Sequence, residues 1–151
     1  MSDPAQLERR RRRNLEALVE HLLLEWHGRG WGRAFHALVE LGPAILPLLD
    51  ERLAEERDGG LRAELLAIAQ ALRVPGALPL FARGLADADE RVWKAALDGL
   101  VALADPQALE ILEAARESPA PGAEAAEWRA WLDEAASQLR EALPAGDTRP
   151  A

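Results

Sequence analysis

Leu15, Leu18, Val19, Leu22, Leu23 and Trp26 recur at steps of three and four, while Glu16, Glu20, His21 and Glu25 break the apolar run between them. That spacing lays one apolar stripe along a helix. The pattern predicts an amphipathic helix with Pro4 in its first turn and an end near Trp26 or His27, ahead of Gly28 and Gly30. From residue 31 onward, apolar runs of helical period alternate with breaks that contain proline. Pro43, Pro75 and Pro106 stand 32 and 31 residues apart, each between two such runs. The repeated unit is therefore a helix pair. In the second runs Leu46, Leu78 and Leu109 form one column, and Leu49, Phe81 and Leu112 another. In the first runs the columns are Ala34, Leu65 and Ala96, then Phe35, Leu66 and Leu97, then Leu41, Leu72 and Leu103. The two columns of the second runs are expected in the core.

Local chemistry places the helix ends. Asp87 offers an N-cap with Glu90 three residues later, so a helix is expected to start there. Asp105 followed by Pro106 offers a cap acceptor and then a residue that loses no helical bond at the first position. Pro47 and Pro79 lie deeper, where proline removes a backbone bond, so those two helices should start late or kink. Near the other end Ala125, Trp128, Leu132, Ala135 and Leu139 again mark one apolar face. Stacked helix pairs need covered ends, and the two flanking helices supply them. The expected fold is all-α: a short right-handed α-solenoid of about three helix pairs with amphipathic N- and C-terminal capping helices. Its parts are an N-terminal cap with a basic start (1–30), three pairs (31–58, 60–87 and 89–117), a linker (118–122), a C-terminal cap (123–143) and a disordered tail (144–151).

The stretch DERVWKAALDGLVALADPQALEIL, residues 89–112, resembles the HEAT-like repeat of the bilin-lyase type: aspartate, a Val-Arg pair, spaced alanines and leucines, Asp-Pro, then Ala-Leu-Pro. Residues 60–87 keep Leu61-Arg62 and VPGALPLF, and the first unit keeps RAFHALVELGPAILPLL, so the resemblance covers residues 31–117. It implies a fold and leaves function open, because such repeats consist of core and capping residues. At the family's arginine position this chain has Trp31, Arg62 and Trp93. The tryptophans either fill space between repeats or form, with Arg62, a surface ladder of residue types that dominate binding hot spots.

Composition narrows the chemistry. The chain has 151 residues, no cysteine and no tyrosine, and 49% of its residues are apolar. There is no disulfide framework or thiolate site to consider, and a cytoplasmic location is expected. Charged residues interrupt the apolar run after the arginines, so neither an export signal nor a membrane helix is expected. The net charge is −8, yet residues 1–14 carry +3 through Arg9 to Arg13, so the remainder carries −11. A strongly acidic body disfavours nucleic acid and favours protein partners with basic or neutral surfaces. The arginine run itself reads as the solvated start of a helix or a mobile arm.

His21 with Glu25 and His36 with Glu40 stand at i, i+4 spacing, but no third ligand accompanies either pair, so no metal is expected. Asp50, Glu51, Glu55, Glu56 and Asp58 form an acidic cluster read as a solvated face. No nucleophile has a nearby base and no glycine motif binds phosphate, so neither enzyme activity nor a cofactor is expected. The function expected is a small non-catalytic adaptor or scaffold for protein–protein interaction, using a concave surface lined by the second helices. Its candidate contact residues are Asp50, Glu51, Arg52, Arg83, Glu110, Glu113 and Ala114, with Trp31, Arg62 and Trp93 as the possible ladder. The alternatives are a tetrapyrrole-handling or lyase-associated protein, implied by the resemblance alone, and a nucleic-acid-binding HEAT-like protein.

Overall fold

A computed structural model describes residues 3–26 and 31–144, and within these it does not describe the side chains of Trp26 and Trp31. The described residues are helical without strands: α1 (Pro4–Trp26), α2 (Trp31–Glu40), α3 (Leu46–Glu55), α4 (Gly59–Leu72), α5 (Leu78–Leu85), α6 (Glu90–Leu103), α7 (Pro106–Arg116) and α8 (Ala125–Ala142). The chain divides into two compact units, residues 1–54 and 55–151.

In the first unit α1 packs along α2, and Val19, Leu22 and Leu23 of the one and Ala34 and Leu38 of the other are buried. Leu15 of the expected stripe is half-buried, and Leu18 is 42% exposed. Ion pairs join α1 to α3: Arg12 to Glu51 and Arg52 to Glu20, each at 3.1 Å. Both are exposed enough that they orient the helices more than they stabilise them.

In the second unit α6 is the hub and packs on α4, α5, α7 and α8, while α5 adjoins α7. Close approach of α5 to α6 depends on missing side-chain volume. A Cβ on Gly99 would stand 2.3 Å from the Phe81 ring, and one on Gly84 would stand 2.8 Å from Leu66 and 2.9 Å from Ala96. Phe81 fills that space and is fully buried. Trp128 of α8 donates its indole N–H to the Leu85 carbonyl at 3.1 Å, a buried bond that fixes α8 against the end of α5.

The expected columns divide by depth. Leu49, Phe81 and Leu112 are wholly buried, as are Ala34, Leu65 and Ala96 to within 2%. Leu41, Leu72, Leu103, Leu109 and Phe35 are only half-buried, because they lie at helix edges or ends where one flank meets solvent. Ala125, at the first position of α8, is exposed for the same reason.

The late starts at Pro47 and Pro79 are present. A 3₁₀ turn over Pro43–Ile45 leads into α3, another over Pro75–Ala77 leads into α5, and each inner proline falls at the second helical position, where no helical hydrogen bond is lost. Asp105 caps α7 by accepting from the Gln107 N–H at 2.8 Å. The Asp87 cap is corrected. Asp89 caps α6, accepting from the Arg91 N–H at 2.9 Å. Asp87 instead accepts from Asp89 N–H and from the Arg62 guanidinium, which draws it away from the helix end. The expected closing glycines Gly28 and Gly30 and the tail from residue 145 lie outside the described residues, and no described helix is long and apolar enough to cross a membrane.

Candidate interaction groove

The second helices α5 and α7 lie side by side, and the side chains that face their junction are small. Ala82, Ala86, Ala114 and Ala115, with Ile111 and Trp128, line a hollow of about 270 Å³ toward the C-terminal ends of the two helices. Toward the other end Gly76, Leu78, Pro79, Gln107 and Glu110 line a second hollow of about 450 Å³. Ile111 and Ala114 line both, so the two hollows form one trough along the α5–α7 junction. Short side chains leave it open to solvent, with Gly76, Ala86 and Ala114 exposed. The Ser118 hydroxyl at one end is occupied, donating to the Ala114 carbonyl at 3.4 Å.

One carboxylate, that of exposed Glu110, lines the trough. Glu113 and Glu117 are also exposed, Glu117 as the residue that follows the last turn of α7. Glu113 has the Arg140 guanidinium 3.7 Å away, a loose exposed pair. Residues 1–54 carry eight acidic and eight basic side chains, so the whole charge of −8 belongs to residues 55–151, the unit that holds the trough.

The structure sorts the candidate residues named from sequence. Glu110, Glu113 and Ala114 meet on the exposed side of α7, and exposed Arg83 stands on α5 beside Ala82. Asp50, Glu51 and Arg52 belong to α3 in the first unit, where Glu51 and Arg52 pair with α1. The Trp31 side chain lies outside what is described.

The surface ladder is corrected at its other two members. Trp93 is 3% exposed, because α8 covers it: the Trp131 ring meets it edge-on with centroids 6.3 Å apart. Arg62 is a structural residue. Its Nε and Nη2 bond the two Asp87 oxygens at 2.8 and 3.1 Å, and its Nη1 bonds the carbonyls of Glu56 and Arg57 at 3.1 and 2.7 Å. Four of its five N–H groups are thereby occupied. The bond to Asp87 is the main reason its guanidinium pKa is raised above the ordinary value.

A cluster not anticipated from sequence surrounds Lys94. Its ammonium lies 4.7 Å from the Trp131 ring and 5.6 Å from that of Trp93, bonds Glu90 and approaches Glu127 at 3.7 Å. The Glu90 bond leads the causes that raise the Lys94 pKa above its usual value. The signals in the sequence were Glu90 and Lys94 at i, i+4 and Trp131 three residues beyond Trp128. His21 bonds Glu25 at 3.1 Å, and no group of three potential metal-binding side chains occurs among the described residues.

Neither a family model, nor a curated protein, nor a solved structure matches the chain.

Proposed function

We propose that this protein is a non-catalytic interaction module, a short HEAT-like α-solenoid that binds a partner protein in the α5–α7 trough. The reading is supported by the pairing of α4 with α6 and of α5 with α7, which follows the order in which successive helix pairs stack. The observation that carries it is the trough itself: apolar, continuous, floored by alanine and lined at one end by Glu110, in the unit that bears all the net charge. The complementary ligand is an amphipathic segment with small apolar side chains on one face and basic side chains flanking it. Burial of the apolar face supplies the affinity, and the Glu110 carboxylate, with the net charge of the unit, sets its orientation and raises its on-rate.

The test uses partners captured by the full chain, compared between the parent, Ala114→Arg and Glu110→Lys. Ala114→Arg fills the trough and should weaken the specific partner by about 2 kcal/mol, roughly 30-fold. Glu110→Lys should mainly slow association and remove its salt dependence. A partner that binds both variants as it binds the parent would rule out the trough as its site.

A further inference from the structure

Helix α1 carries its charge in two blocks. Residues 4–14 hold five arginines and one glutamate, and residues 15–26 hold three glutamates and no arginine or lysine. The first turn has no acidic side chain and the last turn no basic one, so both blocks oppose the helix dipole, which favours anions at the N-terminus and cations at the C-terminus. Several of these charges are met within the chain. Asp3 accepts from the Ala5 N–H at 3.1 Å, Glu16 holds Arg12 at 2.9 Å, and Glu8 lines a hollow with Arg11 and Arg12 against Ala44, Pro47 and Leu48. His21 and Glu25 pair with each other at 3.1 Å.

One edge of the helix is left open. Gln6, Arg10, Arg13, Ala17, Glu20 and Leu24 follow one another at steps of four and three, which aligns them in a single stripe about 27 Å long. All six are exposed, and Leu24, at 68%, is the most exposed large apolar side chain among the described residues. Leu7 and Leu18, exposed at 41% and 42%, stand to one side of the stripe. Arg10 and Arg13 make no ion pair or hydrogen bond among the described residues. We propose that this stripe pairs antiparallel with the same stripe of a second copy of the chain, forming a weak two-fold dimer through α1.

The stripe is complementary to a reversed copy of itself. With a two-fold axis level with position 16, the alternation of four and three lets each side chain of one copy fall between two of the other. Glu20 then enters between Arg10 and Arg13 of the second copy, Leu24 lies over the methylene stems of Gln6 and Arg10, and Ala17, small and close to the axis, lets the helices approach. Glu20 also bonds Arg52 at 3.1 Å, and its carboxylate has lone pairs for further donors. Both conflicts with the dipole are relieved together, because the basic start of each helix lies beside the acidic end of the other. Other anions do less. A polyanion relieves only the arginines, is repelled by Glu20 within the same stripe and leaves Leu24 in water, while an anionic bilayer accepts Leu24 but brings its phosphates onto Glu20. The contact is small: a stripe of this length on a helix about 10 Å across covers roughly 300 Å², against about 800 Å² per partner in a stable interface. The dimer is therefore weak, transient and sensitive to salt.

The experiment is sedimentation equilibrium of the full chain from about 10 to 500 µM, where a monomer–dimer equilibrium with Kd on the order of 100 µM is expected. Raising the salt to about 0.5 M should weaken it roughly tenfold. Two variants test the pairing. Arg10→Glu combined with Arg13→Glu makes the stripe acidic, and Glu20→Arg makes it basic, so each alone should remain monomeric while an equimolar mixture of the two restores the dimer. The acidic variant should melt no lower than the parent in dilute solution, because carboxylates suit a helix start, so its loss of dimer does not come from unfolding. If Glu20→Arg melts early through losing Arg52, Glu20→Gln takes its place, and the mixture should then associate more strongly than either variant does with itself. A parent that stays monomeric throughout, or a mixture that associates no better than its components, would overturn the proposal. Stronger self-association by Glu20→Arg alone would overturn it too, and would show the arginines docking on the acidic second unit of another copy.

Discussion

At the scale of single residues, two aspartates two positions apart do different work, and which does which depends on distant partners. Asp87 and Asp89 both suit a helix cap, and the Glu90 signal favoured the first. Arg62, 25 residues earlier in the chain, takes Asp87 and leaves the cap to Asp89. Asp89 also meets the Arg91 guanidinium at 2.9 Å, and that bond is the largest of the influences that hold its carboxyl below the ordinary value. A folded-state pKa below the unfolded value of about 3.9 contributes stability that is present above that pH and is lost as pH falls toward the folded value. Asp89→Asn keeps a cap acceptor and removes the charge. It should lower Tm by about 1–3 °C at neutral pH, a gap that closes in thermal melts run near pH 3. The fate of the Trp-Arg-Trp column has the same origin. Its residue types pointed to recognition, but the groups that engage Arg62 and Trp93, Asp87 and Trp131, are fixed by tertiary packing that no local pattern encodes.

At the scale of elements the sequence was most legible. Prolines at a near-constant interval, and apolar positions at steps of three and four, were enough to find each helix, because both report backbone geometry directly. The left-handed residues that end the first helices were not legible. Positions 42, 73 and 104 form a column at a step of 31, and all three have positive φ: 80° at Gly42, 51° at Arg73 and 49° at Ala104. Only the first is glycine, so the usual helix-stop signal is missing from two of the three sites. A side chain in that conformation costs about 1–2 kcal/mol, and glycine's extra unfolded-state freedom takes back roughly 0.5–1. Ala104→Gly should therefore stabilise the protein by roughly 0.5–1 kcal/mol, seen in urea denaturation as a higher midpoint at unchanged m. A lower midpoint would mean that the Ala104 methyl packs more productively than its backbone strain suggests.

At the scale of the whole molecule, charge and apolar surface are distributed unequally between the two units. The first is neutral in sum and holds five of its eight cations in the arginine run of α1. The second holds the net charge and an apolar trough. The basic start and the acidic remainder were plain in the sequence. The trough was not, because alanines read as helix formers until two helices bring them side by side. The helix that completes the second unit also gives it an internal clock. The Trp128 indole proton, bonded to the Leu85 carbonyl across 43 positions of chain, can exchange with solvent only when α8 lifts from α5. Trp128, Leu132, Ala136 and Leu139 of α8 are buried together, so that lifting is expected to occur only with global unfolding of residues 55–151. Deuterium exchange followed by NMR should find the Trp128 indole far slower than that of Trp131, which is 42% exposed. Its opening free energy should match the unit's unfolding free energy from denaturant. A Trp128 signal lost as fast as that of Trp131 would show α8 to be a loosely held strap, and the time it takes to vanish would measure how often the strap comes undone.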